Sequence, residues 1–140
     1  MTYLKTQWLF FILLFGSLHT WAACPSLVGT YKIEAWDESQ QLVIQKDKKL
    51  YSVAIVDTAG NKEMLTVIDV PKEENKKEVL LKCAIMVQGL GIIKKVDKGA
   101  EFNVTAQSQN YLNKRIASTG YIIYVASGFF SDIINLEKLN

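Results

Sequence analysis

Few side chains in this sequence could do chemistry, and the missing types are informative. The only histidine, His19, lies in the first stretch of the chain, and the only cysteines are Cys24 and Cys83. Beyond His19 there is no imidazole to serve as general base or metal ligand, which removes Ser-His-Asp and Cys-His nucleophilic catalysis. Two cysteines in a small exported domain are read most simply as one disulfide. Cys24 and Cys83 are separated by 59 residues, and bridging a loop of that length stabilises by ~4 kcal/mol in the chain-entropy account. The carboxylate pairs Asp37-Glu38 and Glu73-Glu74 are adjacent in sequence. In a strand such neighbours point to opposite faces and form no acid/base dyad. Glu101 and Asp132 could supply the two carboxylates of a glycosidase only if the fold joined them. No Ser-x-x-Lys, Gly-x-Ser-x-Gly, phosphate loop or dinucleotide fingerprint is present, so no catalytic residue, cofactor or metal is expected.

Recognition chemistry is better represented. Tyr121, Tyr124, Phe129 and Phe130 are the tightest aromatic cluster in the sequence, and Phe129-Phe130 follows Gly128 in a turn-like stretch. Such rings form either a lip that grips a partner or apolar ligand, or a plug for the end of a core. Trp36 is the only tryptophan after residue 21. It falls on the strand face opposite Tyr31 and Ile33, so it is an interface residue if that face meets solvent and a core residue if the strand is covered on both sides. Lys46, Lys48 and Lys49 crowd one turn, and Lys94, Lys95, Lys98, Lys114 and Arg115 are expected near another edge. They suit anionic lipid or an acidic protein, or simply protect edge strands. Arg115 is the sole arginine, and the formal net charge of the chain is only +2. Without arginines or a basic excess, nucleic-acid binding is disfavoured. Asn103-Val104-Thr105 is a glycosylation sequon, relevant only in a eukaryotic secretory route.

These residues must be positioned by a chain that opens on a leader. Lys5 is followed by the apolar run from Trp8 to Phe15, then Gly16, Ser17 and the small residues Ala22 and Ala23. That is the layout of a cleaved signal peptide over residues 1–22; the run is too short for a membrane span, which needs ~20 apolar residues. Lipoprotein processing at Cys24 competes with cleavage after Ala22, but it would leave Cys83 as an odd thiol. Residues 23–140 then form one exported domain, periplasmic or secreted.

Alternating apolar positions predict strands over 30–36, 41–46, 50–57 and 64–70. A charged stretch from Pro71 follows, and Val79, Leu80, Cys83, Ala84 and Val87 then fit one helical stripe, predicting a helix over about 72–88. A charged loop followed by a strand over 79–87 is the alternative. Further strands are predicted over 92–96, 101–107, 115–126 and 132–139, with 108–114 as a polar turn. The apolar-on-both-faces run Tyr121–Val125 marks a central strand.

Leu27-Val28-Gly29-Thr30-Tyr31 resembles the opening of lipocalin and fatty-acid-binding barrels, with Tyr31 in the place of their tryptophan. The resemblance covers five residues and implies a small-ligand barrel; a middle helix after four strands departs from the lipocalin order. The fold expectation is α+β, mainly β: seven to eight antiparallel strands in a curled sheet or small barrel with one packed helix. The functional expectation is an exported, non-catalytic protein-binding module of the inhibitor or immunity type. The alternative is a lipocalin-like barrel carrying a small apolar ligand. The residues expected to bind are Trp36, Tyr121, Tyr124, Phe129 and Phe130.

Overall fold

Why a chain this rich in β-branched and aromatic residues closes on itself is visible in its pairing pattern. The computed structural model describes residues 24–68, 82–105, 112–128 and 130–140. Eleven strands form one antiparallel sheet: β1 (Gly29–Ile33), β2 (Gln40–Asp47), β3 (Leu50–Asp57), β4 (Lys62–Leu65), β5 (Val67–Ile68), β6 (Ala84–Val87), β7 (Gly91–Lys95), β8 (Glu101–Thr105), β9 (Leu112–Ile116), β10 (Tyr121–Ser127) and β11 (Phe130–Lys138). The order β4-β3-β2-β1-β11-β10-β7-β6-β5 is an up-and-down meander. The strands β4 and β5 are two halves of one path broken at Thr66. The first half pairs with β3 and the second with β6, so the two ends of the sheet meet in a nearly closed barrel. Closure removes the unpaired edges that a long apolar sheet would otherwise expose.

Antiparallel pairing fixes which turns share an end. The β1–β2, β3–β4, β6–β7 and β10–β11 turns lie at one end of the barrel. The β2–β3 turn, the start of β1, the starts of β6 and β10 and the finish of β11 lie at the other. One face of each strand points inward. Leu42, Ile44, Val53, Ile93, Ile123 and Leu136 are at most 1% exposed and fill the interior. These side chains pack against one another in a single cluster. Leu27 closes the end where the chain enters, and the Tyr31 hydroxyl donates to its carbonyl oxygen at 2.7 Å. Burial, with Tyr121 and Tyr51 nearby, pushes the Tyr31 hydroxyl well above its usual pKa.

The hairpin of β8 and β9 lies outside this circuit. It joins the main sheet where Thr105 pairs with Ser131. Beside it, Ala117, Ile122 and Ile133 form a second small core with Val96, Ala100, Phe102 and Tyr124. This explains why β10 is apolar on both faces: Ile123 points into the barrel and Ile122 into the second core. Gly91 has φ 133, and a Cβ there would collide with the Tyr124 carbonyl oxygen, so only glycine lets β7 lie this close to β10.

The Cys24–Cys83 disulfide is formed, with Cα atoms 5.2 Å apart. It ties the segment before β1 to the start of β6. The helix expected over 72–88 is corrected in its last part. Ala84–Val87 is strand β6, and Cys83 sits before it in a turn at φ 56. An apolar run buried on both faces has no diagnostic period, and pairing with β5 and β7 decides its form. Residues 72–81 lie outside the described residues, as do the leader residues 1–22 and Phe129. Three strand limits also differ from expectation. The first strand stops at Ile33, β9 begins within the expected 108–114 turn, and residues 117–120 interrupt the expected 115–126 strand. No helix among the described residues is long and apolar enough to cross a membrane.

Candidate functional site

The last strand forks, and the fork concentrates the polar side chains of the molecule. Along one edge β11 pairs with β10 over its whole length. Along the other it pairs with β1 only at residues 136–138 and with β8 at Ser131. The chain leaves β1 sharply, because Ala35 adopts φ 66 and Trp36 N–H turns back to the Ile33 carbonyl at 3.2 Å. The backbone groups left without a ladder partner must be satisfied by other means.

Glu34 and Asn135 do this. Glu34 N–H donates to the Asn135 carbonyl at 3.0 Å. Glu34 Oε2 accepts from Asn135 N–H at 3.0 Å and from Asn135 Nδ2 at 3.1 Å. Asn135 Oδ1 accepts from Ser118 N–H at 3.0 Å. Arg115 completes the network: its Nη2 lies 3.4 Å from both Glu34 Oε2 and the Ile133 carbonyl, and its Nε lies 3.7 Å from Asp132 Oδ1. The Thr119 hydroxyl is 2.6 Å from the Leu136 carbonyl and 2.8 Å from that of Tyr121, and its single proton serves one at a time. Asn135 is only 6% exposed, while the side chains of Glu34 and Arg115 are 45% and 41% exposed. Half-exposed ion pairs contribute little stability, so their role here is to fix the orientation of charged groups that still face solvent.

The surface above this network is a cleft of about 230 Å³ lined by Lys32, Glu34, Ser118, Thr119, Asn135 and Glu137. Lys32 is drawn to Glu38 at 3.2 Å across the same turn. Trp36, two residues past Glu34, packs part of its ring on the barrel core and leaves the rest at the surface. The arrangement offers a fixed guanidinium fork, two carboxylates and an indole, all held by one turn and one strand.

The other expected binding residues do not share this site. Tyr121 starts β10 beside the fork, its carbonyl facing the Thr119 hydroxyl, but its ring turns to the barrel core, edge-on to Tyr31 at 5.2 Å, with Lys138 and Lys95 ammonium groups 5.5 and 5.9 Å from its ring centre. Tyr124 lies half-buried in the second core. Phe130 starts β11 opposite Ser127, whereas Tyr121 is opposite Leu136, so these two rings sit at opposite ends of the hairpin. Phe102 lies in the second core. It also borders an open recess of about 600 Å³ with Pro25, Lys94, Lys95, Val96 and Ala100. The basic residues expected to gather together divide: Lys114 pairs with Glu101 at 3.6 Å, while Arg115 joins the fork. Glu101 and Asp132 are therefore each engaged by a different cation. Among the described residues no group of three or more His, Cys, Asp or Glu is placed to hold a metal ion.

Sequence reasoning named Trp36 but missed Glu34, Arg115 and Asn135 as a unit. Their contacts span 81 and 101 positions, and the one available signal was that Arg115 is the only arginine in a lysine-rich chain. Comparison with protein-family models, with curated proteins and with solved structures finds no match to this chain.

Proposed function

We propose that the protein is an exported, non-catalytic binding module that engages another exported protein through Trp36 and the Glu34–Arg115–Asn135 fork. One observation carries this reading. The only arginine of the chain and the only tryptophan beyond residue 21 are held by the same turn, Arg115 through Glu34 and Trp36 through the Ile33 carbonyl. Tryptophan and arginine are the residue types that dominate binding hot spots. Here their side chains are partly ordered before a partner arrives, which lowers the entropic cost of association. The filled barrel interior directs recognition to the outer surface. The leader-like start and the Cys24–Cys83 bridge favour an oxidising compartment, where an inhibitor or immunity-type protein would act.

Native mass spectrometry on protein purified from its own host tests the reading. The expected result is a stoichiometric complex whose extra mass is that of a second protein. Trp36→Ala and Arg115→Ala should each weaken it by about 30-fold, the effect of removing a hot-spot residue worth ~2 kcal/mol. Arg115→Lys should not restore it, because lysine lacks the planar fork. Extra mass of a few hundred daltons would replace this reading with the small apolar ligand. A protein complex unaffected by all three substitutions would place the binding surface elsewhere.

A further inference from the structure

The near-neutral composition hides a strong separation of charge along the barrel. At the end that carries the start of β1 and the finish of β11, the rim holds Lys46, Lys48 and Lys49 of the β2–β3 turn, Lys82 before β6, Lys94 and Lys95 of β7, and Lys98 and Lys138. The carboxylates of that rim are Asp47, Asp97 and Glu137, the last of which also borders the fork cleft. The opposite end carries Glu34, Asp37, Glu38, Asp57 and Glu63 against Lys62, Lys32, which pairs with Glu38, and Arg115, which pairs with Glu34. The segment 69–81, with three lysines and four carboxylates by sequence, lies outside the described residues. The basic residues crowd one another. Lys95 and Lys138 share the ring of Tyr121, and burial, with the like charge of Lys82, lowers the pKa of Lys94.

The same end exposes apolar side chains. Leu50 is 78% exposed at the β2–β3 turn, Leu139 is 47% exposed after β11, and Val28 is 39% exposed before β1. Met64, Ile68 and Ile116 are also exposed among the described residues, but Leu50, Leu139 and Val28 are the ones that sit among these lysines. Exposed apolar groups interleaved with lysines are the pattern that holds a protein on a bilayer of net negative charge. The lysines supply long-range attraction, and the leucines enter the headgroup boundary.

We propose that this lysine-rich end is a membrane-docking surface for anionic phospholipid headgroups. It is separate from the fork and independent of the protein-binding reading. Docked this way, the barrel stands on its basic rim, and the opposite end, with the Trp36 turn, projects away from the bilayer.

Cosedimentation of the mature oxidised protein with phosphatidylcholine–phosphatidylglycerol vesicles, against pure phosphatidylcholine vesicles, provides the test. Binding to the anionic vesicles alone, weakened by added salt, is expected. Each surface lysine contributes about fivefold to partitioning, so the triple substitution Lys46→Gln, Lys48→Gln, Lys49→Gln should weaken it about 100-fold. These residues are exposed, so the variant is expected to keep the parent's circular-dichroism spectrum, which is recorded alongside. Leu50→Ser should weaken binding without altering its salt dependence, and Lys62→Gln, at the far end, should leave it unchanged. Equal binding to neutral vesicles, an intact triple variant, or a loss from Lys62→Gln as large as that from a rim lysine would overturn the proposal. So would binding to soluble polyglutamate without binding to vesicles, which would assign the rim to an acidic protein.

Discussion

Replacing Asn135 should cost far more than its place on an outer strand face suggests. The side chain donates from Nδ2 to Glu34 and accepts from Ser118 N–H, while its own main-chain bonds to Glu34 survive substitution. Loss of a hydrogen bond to a charged acceptor costs ~1.5–3 kcal/mol, and an orphaned partly buried N–H costs ~1–3 kcal/mol. Glu34 is half exposed and water replaces part of the first loss, so the low end of each range applies. Asn135→Ala should therefore destabilise by ~2.5 kcal/mol. With an unfolding entropy of ~2.1 cal/mol/K per residue, that is a fall in Tm of about 10 °C for a domain of this size. Asn135→Asp separates the polar account from simple packing. It keeps the shape but sets a carboxylate against Glu34 Oε2. The new group's pKa is raised on folding, so the variant should be less stable than Asn135→Ala near neutrality and recover as pH falls through that raised value. Thermal and urea unfolding across pH give both quantities. An alanine variant within ~0.5 kcal/mol of the parent, or an aspartate variant that tracks it at every pH, would refute the role given to the fork.

Two further outcomes follow from local geometry. Ala35 holds φ 66, which is costly for a residue with a Cβ. Ala35→Gly should raise stability by about 0.5–1 kcal/mol, read as a higher urea midpoint. Asp57 accepts hydrogen bonds from the Asn61 side chain at 2.9 Å and its N–H at 2.8 Å, and these bonds lower its pKa. Its contribution is complete above the unfolded value of about 4 and disappears as pH falls through the lower folded value. Asp57→Asn should flatten that part of the stability profile, seen as a smaller midpoint difference across acid pH.

Much of the barrel was readable because alternation is a local signal. Tyr31 and Ile33, or Leu42 and Ile44, report their inward face from two residues away. The disulfide followed from the cysteine count. The segment around Ala84–Val87 misled because its apolar residues satisfy a helical stripe and a doubly buried strand equally well. The break between Ile116 and Tyr121 was hidden inside one β-rich run. The fork was less legible still. Asn135 occupies a position that alternation assigns to solvent, and it is buried because a hairpin far away in sequence lies beside it. Glu34 and Arg115 look like ordinary surface charges until the pairing of β1 with β11 brings them to one place.

That pairing also governs when the molecule can become itself. Tyr31 is opposite Lys138, so the barrel seam joins the first strand to the last. A ribosome adding ~5–20 residues per second needs roughly 5–20 s to make the chain between them. Throughout that interval β1 has β2 to pair with but lacks its other neighbour, and the inward face of Tyr31 and Ile33 stays open. The order of synthesis therefore postpones completion of the barrel until its final strand arrives.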